Sequence, residues 1–183
     1  MGDTVELYRV AAGRAVELVD AVGAGQWDGP TPCAGWDVHQ LVAHLVGGTE
    51  YLRSAMAGRS PEPVPAGGDL AAGYRSGVEA TLAAATAPGA LDRTCVSPLG
   101  FEWTVAEAFA GTFMDTLVHS WDLAVATGQD RTLAPDLVDA CIAMFLPEMP
   151  VRGREAGLVG SAVDVGPDPS SQDRLLGAMG RRP

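Results

Sequence analysis

Residues Thr112 to Gly128 read TFMDTLVHSWDLAVATG, an apolar stretch that carries an acid at Asp115, an imidazole at His119 and a second acid at Asp122. Four-residue spacing on a helix stacks Asp115 and His119 on one face, where both can reach one ion, and Asp122 borders that face. Ala108, Thr112 and Ala126 fall at compatible angles and leave room beside the acid and the imidazole, while Phe109, Phe113 and Leu117 take the opposite side. A helix that is apolar nearly all round belongs at the centre of a packed domain. The spacing predicts it from about Thr104 to Thr127, with Gly128 as its C-cap.

The flanking sequence supplies partners of the same kind. Val5, Tyr8, Ala12, Ala15, Val16, Val19 and Val22 recur at three- and four-residue steps, the stripe of an amphipathic helix that starts near Asp3-Thr4 and ends at Gly23 and Gly25. The prolines and glycines of Gln26 to Gly35 predict a stiff loop. Asp37 with Gln40 forms a capping-box pattern ahead of a second helix to about Ala57, burying Val38, Leu41, Val42, Leu45, Thr49 and Leu52. After a loop marked by Pro61, Pro63 and Pro65, a third helix is expected from about Asp69 to Ala87. Leu91 to Trp103 reads as a loop with brief extended structure around Thr94 to Val96. A fifth helix runs from Pro135 to about Pro147, and Ser170 or Ser171 caps a short last one. From Met149 to Pro169 the pattern fades, and an extended tail is expected. With no convincing buried strand, the fold class is all-α, a bundle of four long helices with additions.

The 183 residues, 47% hydrophobic and 19% charged, fit one domain over 1–183, with about 149–183 as a tail packed on the bundle. A net charge of −11 argues against a nucleic-acid partner and an anionic membrane surface, since both need clustered cations. All 12 basic residues are Arg, which excludes a lysine Schiff base and a P-loop lysine. Cys33, Cys95 and Cys141 form no ligand-spaced pair and read as small buried hydrophobes in a reducing cytoplasm. No stretch approaches a signal peptide or a membrane span. Met1-Gly2 begins like a myristoylation signal, but the arginine-rich, lysine-free composition points to a bacterial source in which that reading fails.

The chain has 3 histidines. His44 lies at the edge of the second helix's apolar stripe, beside Gly48 and Tyr51, whereas His39 points away from it toward solvent. A bundle can bring His44 to Asp115 and His119, and two imidazoles with one carboxylate suit a divalent transition metal with open positions for water or substrate. The same D-x-x-x-H spacing also serves a hydrogen-bonded core pair, so spacing leaves both readings open. Asp122 is read as orienting a ligand, and Trp36, Trp103 and Trp121 as core or loop anchors. Glu50 and Glu102, near the pocket segments in sequence, are candidate acid/base groups, and Arg174, Arg181 and Arg182 could anchor a carboxylate if the tail folds over the pocket; the default reading of all five is solvated charge.

TPCAGWDVHQLVAHLVG at Thr31 to Gly47, joined to DTLVHSWDLAVATG at Asp115 to Gly128 and to the closing DRLLGAMGRRP from Asp173, resembles the mycothiol-dependent maleylpyruvate isomerase N-terminal family of the DinB-like metalloproteins, in its stand-alone actinobacterial form. The resemblance implies a DinB-like four-helix bundle holding zinc or nickel through His44, Asp115 and His119. It also implies a mycothiol-dependent transferase or isomerase that uses a metal-bound thiolate on a small-molecule electrophile. The isomerase itself has Glu at the position of Asp115, and its second domain is not matched here, so maleylpyruvate isomerisation is not expected. A thiol-independent metal-dependent hydrolase or biosynthetic enzyme, and a non-catalytic metal- or small-molecule-binding bundle, are the alternatives. The assembly state stays open between monomer and homodimer.

Overall fold

The computed structural model describes residues 3–64 and 68–183. The readings placed on Met1-Gly2 and on Pro65 lie outside the described residues. The described chain forms two compact units, Met1–Arg131 and Thr132–Pro183.

In the first unit, α1 (Thr4–Asp20) starts where the Asp3 carboxylate accepts from the Val5 and Glu6 N–H groups, which are free donors at a helix start. It buries Tyr8, Ala11, Ala12, Ala15, Leu18 and Val19. α2 (Val38–Ala57) opens with the expected reciprocal cap between Asp37 and Gln40 and closes at Gly58, whose φ of 69° is the left-handed turn that favours glycine. α3 (Leu70–Ala85) is shorter at its end than the apolar spacing predicts, because its last carbonyls are closed off by tight turns at Thr86 and Ala87.

The chain then makes an antiparallel hairpin, β1 (Thr94–Val96) with β2 (Glu102–Thr104), in which Cys95 pairs with Trp103. The second strand was not legible: EWT is too short to show an alternating pattern. Thr104 ends β2 and begins α4 (Val105–Thr127) through a capping box with Glu107. Gly128, at φ 70°, ends this helix.

α1 lies beside α4 and α3, and α2 lies beside α3 and α4, so the four helices close a ring. α4 is the buried member, with Phe109, Phe113, Leu117, Trp121 and Leu123 all at 2% exposure or less. This is the all-α, DinB-like four-helix bundle the sequence predicts. α2 and α3 approach closely at Gly77, where an added Cβ would stand 2.3 Å from Thr49 Oγ1.

The second unit contains α5 (Pro135–Phe145), α6 (Met149–Glu155) and α7 (Ser171–Ala178), with α5 packed on α7. Pro135 stands in the first turn of α5 and Ser170 caps α7, as the sequence indicates. Met149–Glu155 is helical rather than extended. Pro150 sits in the first turn, where no N–H is needed, and the last turn carries Arg152 and Arg154 against the dipole. Gly153 gives Val159 its seat, since a Cβ there would meet the valine at 2.5 Å. Arg174 and Arg182 are exposed, while the Arg181 guanidinium donates to the Met179 carbonyl at 2.8 Å. Among the described residues no helix is long and apolar enough to cross a membrane.

Candidate metal centre

The loop before α2 is built by its own hydrogen bonds. Thr31 N–H donates to the Trp36 carbonyl at 3.1 Å, Trp36 N–H donates to the Cys33 carbonyl at 3.0 Å, and the Thr31 hydroxyl donates to Trp36 O at 2.9 Å and accepts from Cys33 N–H at 3.1 Å. This turn delivers Cys33 and Trp36 to the place where α2 meets α4.

There His44 Nε2 stands 3.0 Å from Asp115 Oδ2, and His119 Nε2 stands 3.4 Å from Asp115 Oδ1. The two imidazole centroids are 4.9 Å apart. The His119 Nδ1–H donates to Asp122 Oδ2 at 2.9 Å, the Cys33 thiol donates to the same oxygen at 3.2 Å, and Cys33 Sγ is 3.6 Å from His119 Nδ1. Trp36 stacks on His119 at 5.8 Å and tilts over His44 at 5.0 Å.

Exposure is graded across this cluster. The His44 and Asp115 side chains are 39% and 35% exposed, whereas those of His119 and Asp122 are 10% and 0%. Burial disfavours charge on Asp115, but the His119 and His44 imidazoles beside it hold its carboxyl well below the usual range. Burial likewise opposes a charged His119, yet Asp115 first, then Asp122 and Cys33, hold its pKa well above the ordinary histidine value. The imidazole is thus clamped between two carboxylates, one on each ring nitrogen.

Among the described residues, two sets of three place their ligand atoms within 4.8 Å of one another: His44, Asp115 and His119, and Cys33, His119 and Asp122. They share His119 through opposite ring nitrogens. The first set has two imidazole nitrogens and a carboxylate at the accessible end, donors that fit zinc, nickel or iron. The second is soft and deeply buried on its Asp122 side. Ligating histidines commonly give their other N–H to a carboxylate, the contact that Asp122 makes with His119.

The structure brings His44, Asp115 and His119 together and leaves His39 elsewhere, exposed and edge-on to Trp27 at 6.4 Å. Cys33 and Trp36 belong to this cluster, although the sequence assigned them to the core or to loop anchoring. Their joint placement in the proline-bounded stretch before the α2 cap was the available signal. Glu50 is no free acid or base: Arg53, Ser54 and Arg59 hold its carboxylate. It borders a cavity of about 320 Å³ between α2 and α3 that contains none of the residues of either set.

Residues 8–124 match the model of the mycothiol maleylpyruvate isomerase N-terminal domain. The chain is 36% identical over 137 residues to the uncharacterized protein Rv0738 of Mycobacterium tuberculosis strain ATCC 25618 / H37Rv, covering 74% of this chain and 73% of that one. The match to the uncharacterized protein MT0763 of strain CDC 1551 / Oshkosh has the same values. Its fold is similar to the crystal structure of the mycothiol-dependent maleylpyruvate isomerase, with a TM-score of 0.59 and 14% identity over 76% of this chain and 66% of that one. A mutant of the same enzyme gives a TM-score of 0.56 at 15% identity, with the same coverage. The chain therefore spans just under two thirds of the enzyme's length.

Proposed function

The chain belongs to the mycothiol maleylpyruvate isomerase N-terminal domain family, and we propose that it is a divalent-metal protein that brings a low-molecular-weight thiol to a small-molecule electrophile, as a transferase or isomerase of the mycothiol type. The observation that carries this reading is the convergence of His44 and His119 Nε2 on the Asp115 carboxylate, with Asp122 on the far nitrogen of His119. A divalent ion held there, zinc or nickel, supplies positive charge that favours the thiolate form of an added thiol at neutral pH. In this reading His44 and His119 present their Nε2 atoms and Asp115 its carboxylate. Asp122 accepts a hydrogen bond from the Nδ1–H of His119 and so fixes which nitrogen faces the ion. Trp36, stacked on the His119 ring, holds it in that plane.

Cys33, His119 and Asp122 form the second candidate seat, favoured by the close approach of the thiol to both partners. Metal analysis of purified protein separates the two. His44→Ala empties the first seat and leaves the second, Cys33→Ala does the reverse, and unchanged metal in both of these and in His119→Ala removes the centre altogether. Titration of the metal-loaded protein with mycothiol is then expected to saturate. Absence of binding, with no thiol consumed across a panel of electrophiles, overturns the thiol chemistry while leaving the metal.

A further inference from the structure

The ring of His119 has the same kind of surroundings at both of its nitrogens. Nε2 faces Asp115 Oδ1 at 3.4 Å, and the other oxygen of that carboxylate faces His44 Nε2 at 3.0 Å. Nδ1 faces Asp122 Oδ2 at 2.9 Å, and the same oxygen accepts from the Cys33 thiol at 3.2 Å. At each end, therefore, a ring nitrogen meets a carboxylate that already holds one further side chain of a kind that ligates metals. The two sets have only His119 in common, and they call on different nitrogens of it. Filling one does not empty the other.

The Cys33 end is more than a support for the ring. Orienting a ligating histidine takes one acceptor on its far N–H, and Asp122 alone supplies that. The thiol adds nothing to this task, yet the loop before α2 is folded to bring it there, with the Thr31 hydroxyl accepting from the Cys33 N–H at 3.1 Å and donating to the Trp36 carbonyl at 2.9 Å. Nδ1, Oδ2 and Sγ stand 2.9, 3.2 and 3.6 Å from one another. Bonds of about 2.0 Å to nitrogen and oxygen and about 2.3 Å to sulfur put the ligands of a tetrahedral ion about 3.3–3.6 Å apart. An ion thus enters with only small shifts. It takes the place of two protons, the S–H and the Nδ1–H, which both point at Asp122 Oδ2 and leave to solvent.

Charge favours filling both ends. Two divalent ions are matched by Asp115, Asp122, a Cys33 thiolate and an imidazolate that bridges through both nitrogens of His119, while His44 stays neutral. The Asp122 side chain is 0% exposed, and a charge buried that deeply has to be paired. The intervening ring keeps the ions further apart than the about 3.5–4 Å of pairs that clamp one substrate, so they do different work. The outer ion, beside His44 and Asp115 side chains that are more than a third exposed, has room for a ligand. The inner ion ties the Cys33 loop to α4.

We propose that His119 bridges a two-ion centre, with one zinc in the seat of His44, Asp115 and Nε2 and a second in the seat of Cys33, Asp122 and Nδ1. The outer ion rests on the metal reading above and the inner ion does not. Zinc counted by native mass spectrometry of the zinc-saturated protein tests the pair. Two ions per chain are expected in wild type and one in each of Cys33→Ala and His44→Ala, substitutions at residues outside the buried core. Cobalt(II) in place of zinc gives a second measurement. The sulfur-to-cobalt absorption of wild type is expected to persist in His44→Ala and vanish in Cys33→Ala, and the magnetic moment per cobalt to fall below that of either one-ion variant through coupling across the ring. One zinc in wild type, or two in Cys33→Ala, overturns the pair. If that single zinc is lost in His44→Ala and kept in Cys33→Ala, the outer seat stands alone; the opposite pattern removes the outer seat with the pair. Two cobalt ions with uncoupled moments overturn the bridge, and no bound ion at all overturns both readings.

Discussion

At the scale of single residues, Asp122 and Glu50 make the clearest claims. Asp122 is fully buried and bonded to His119 Nδ1, so for an ion in the His44–Asp115–His119 seat Asp122→Ala is expected to weaken metal binding by about 10- to 100-fold without removing a ligand. Metal titration of the two proteins measures this. His119 carries its proton well above the ordinary histidine pKa in the free site, so metal binding at neutral pH releases that proton, and affinity falls as pH is lowered. Calorimetry in two buffers of different ionisation enthalpy should report the release. For Glu50, partial burial pushes the pKa up, but hydrogen bonds from Arg53, Ser54 and Arg59 bring it down to about 2 from 4.5. The ionised form thus stabilises the fold above about pH 4.5, and that stabilisation is lost as pH falls toward 2. Glu50→Gln is expected to cost about 2 kcal/mol at neutral pH and to flatten the acid limb of a stability profile measured by denaturant unfolding.

At the scale of elements, caps and apolar stripes were legible because they depend on near neighbours in the chain. Asp37 with Gln40 and Thr104 with Glu107 each close two donors at a helix start. Asp37→Ala is expected to cost about 1 kcal/mol in chemical denaturation, and the loop that seats Cys33 and Trp36 should loosen with it. Gly77→Ala is expected to destabilise the protein despite alanine's better helix propensity, because its Cβ would collide with Thr49. The β2 strand and α6 were missed for opposite reasons. Glu102–Thr104 is too short to show a period. Met149–Glu155 hides a helix behind a proline and a glycine that read as breakers, one harmless in the first turn and the other needed for packing.

At the scale of the molecule, the candidate centre ties α2 to α4, helices whose contact residues His44 and Asp115 lie far apart in sequence. An ion bound there should stabilise the first unit by mass action, about 2.7 kcal/mol at a hundredfold excess over Kd. Hydrogen exchange in α2 and α4 with zinc and then with chelator checks this. In the second unit, Cys141 is fully buried and its thiol is pushed up to about 12. Its alkylation in the folded protein should therefore be far slower than that of half-buried Cys33.

The sequence by itself determined the four helices, the burial of α4 and the pairing of Asp115 with His119, because helical period and four-residue spacing are local properties of the chain. Only the tertiary structure decided that Cys33 and Trp36 join His119 and that Trp103 crosses Gly111 to reach Tyr51. Those contacts depend on how a loop and a hairpin are laid over the α2–α4 seam. Packing between segments distant in the chain fixes that arrangement, and no local pattern encodes it.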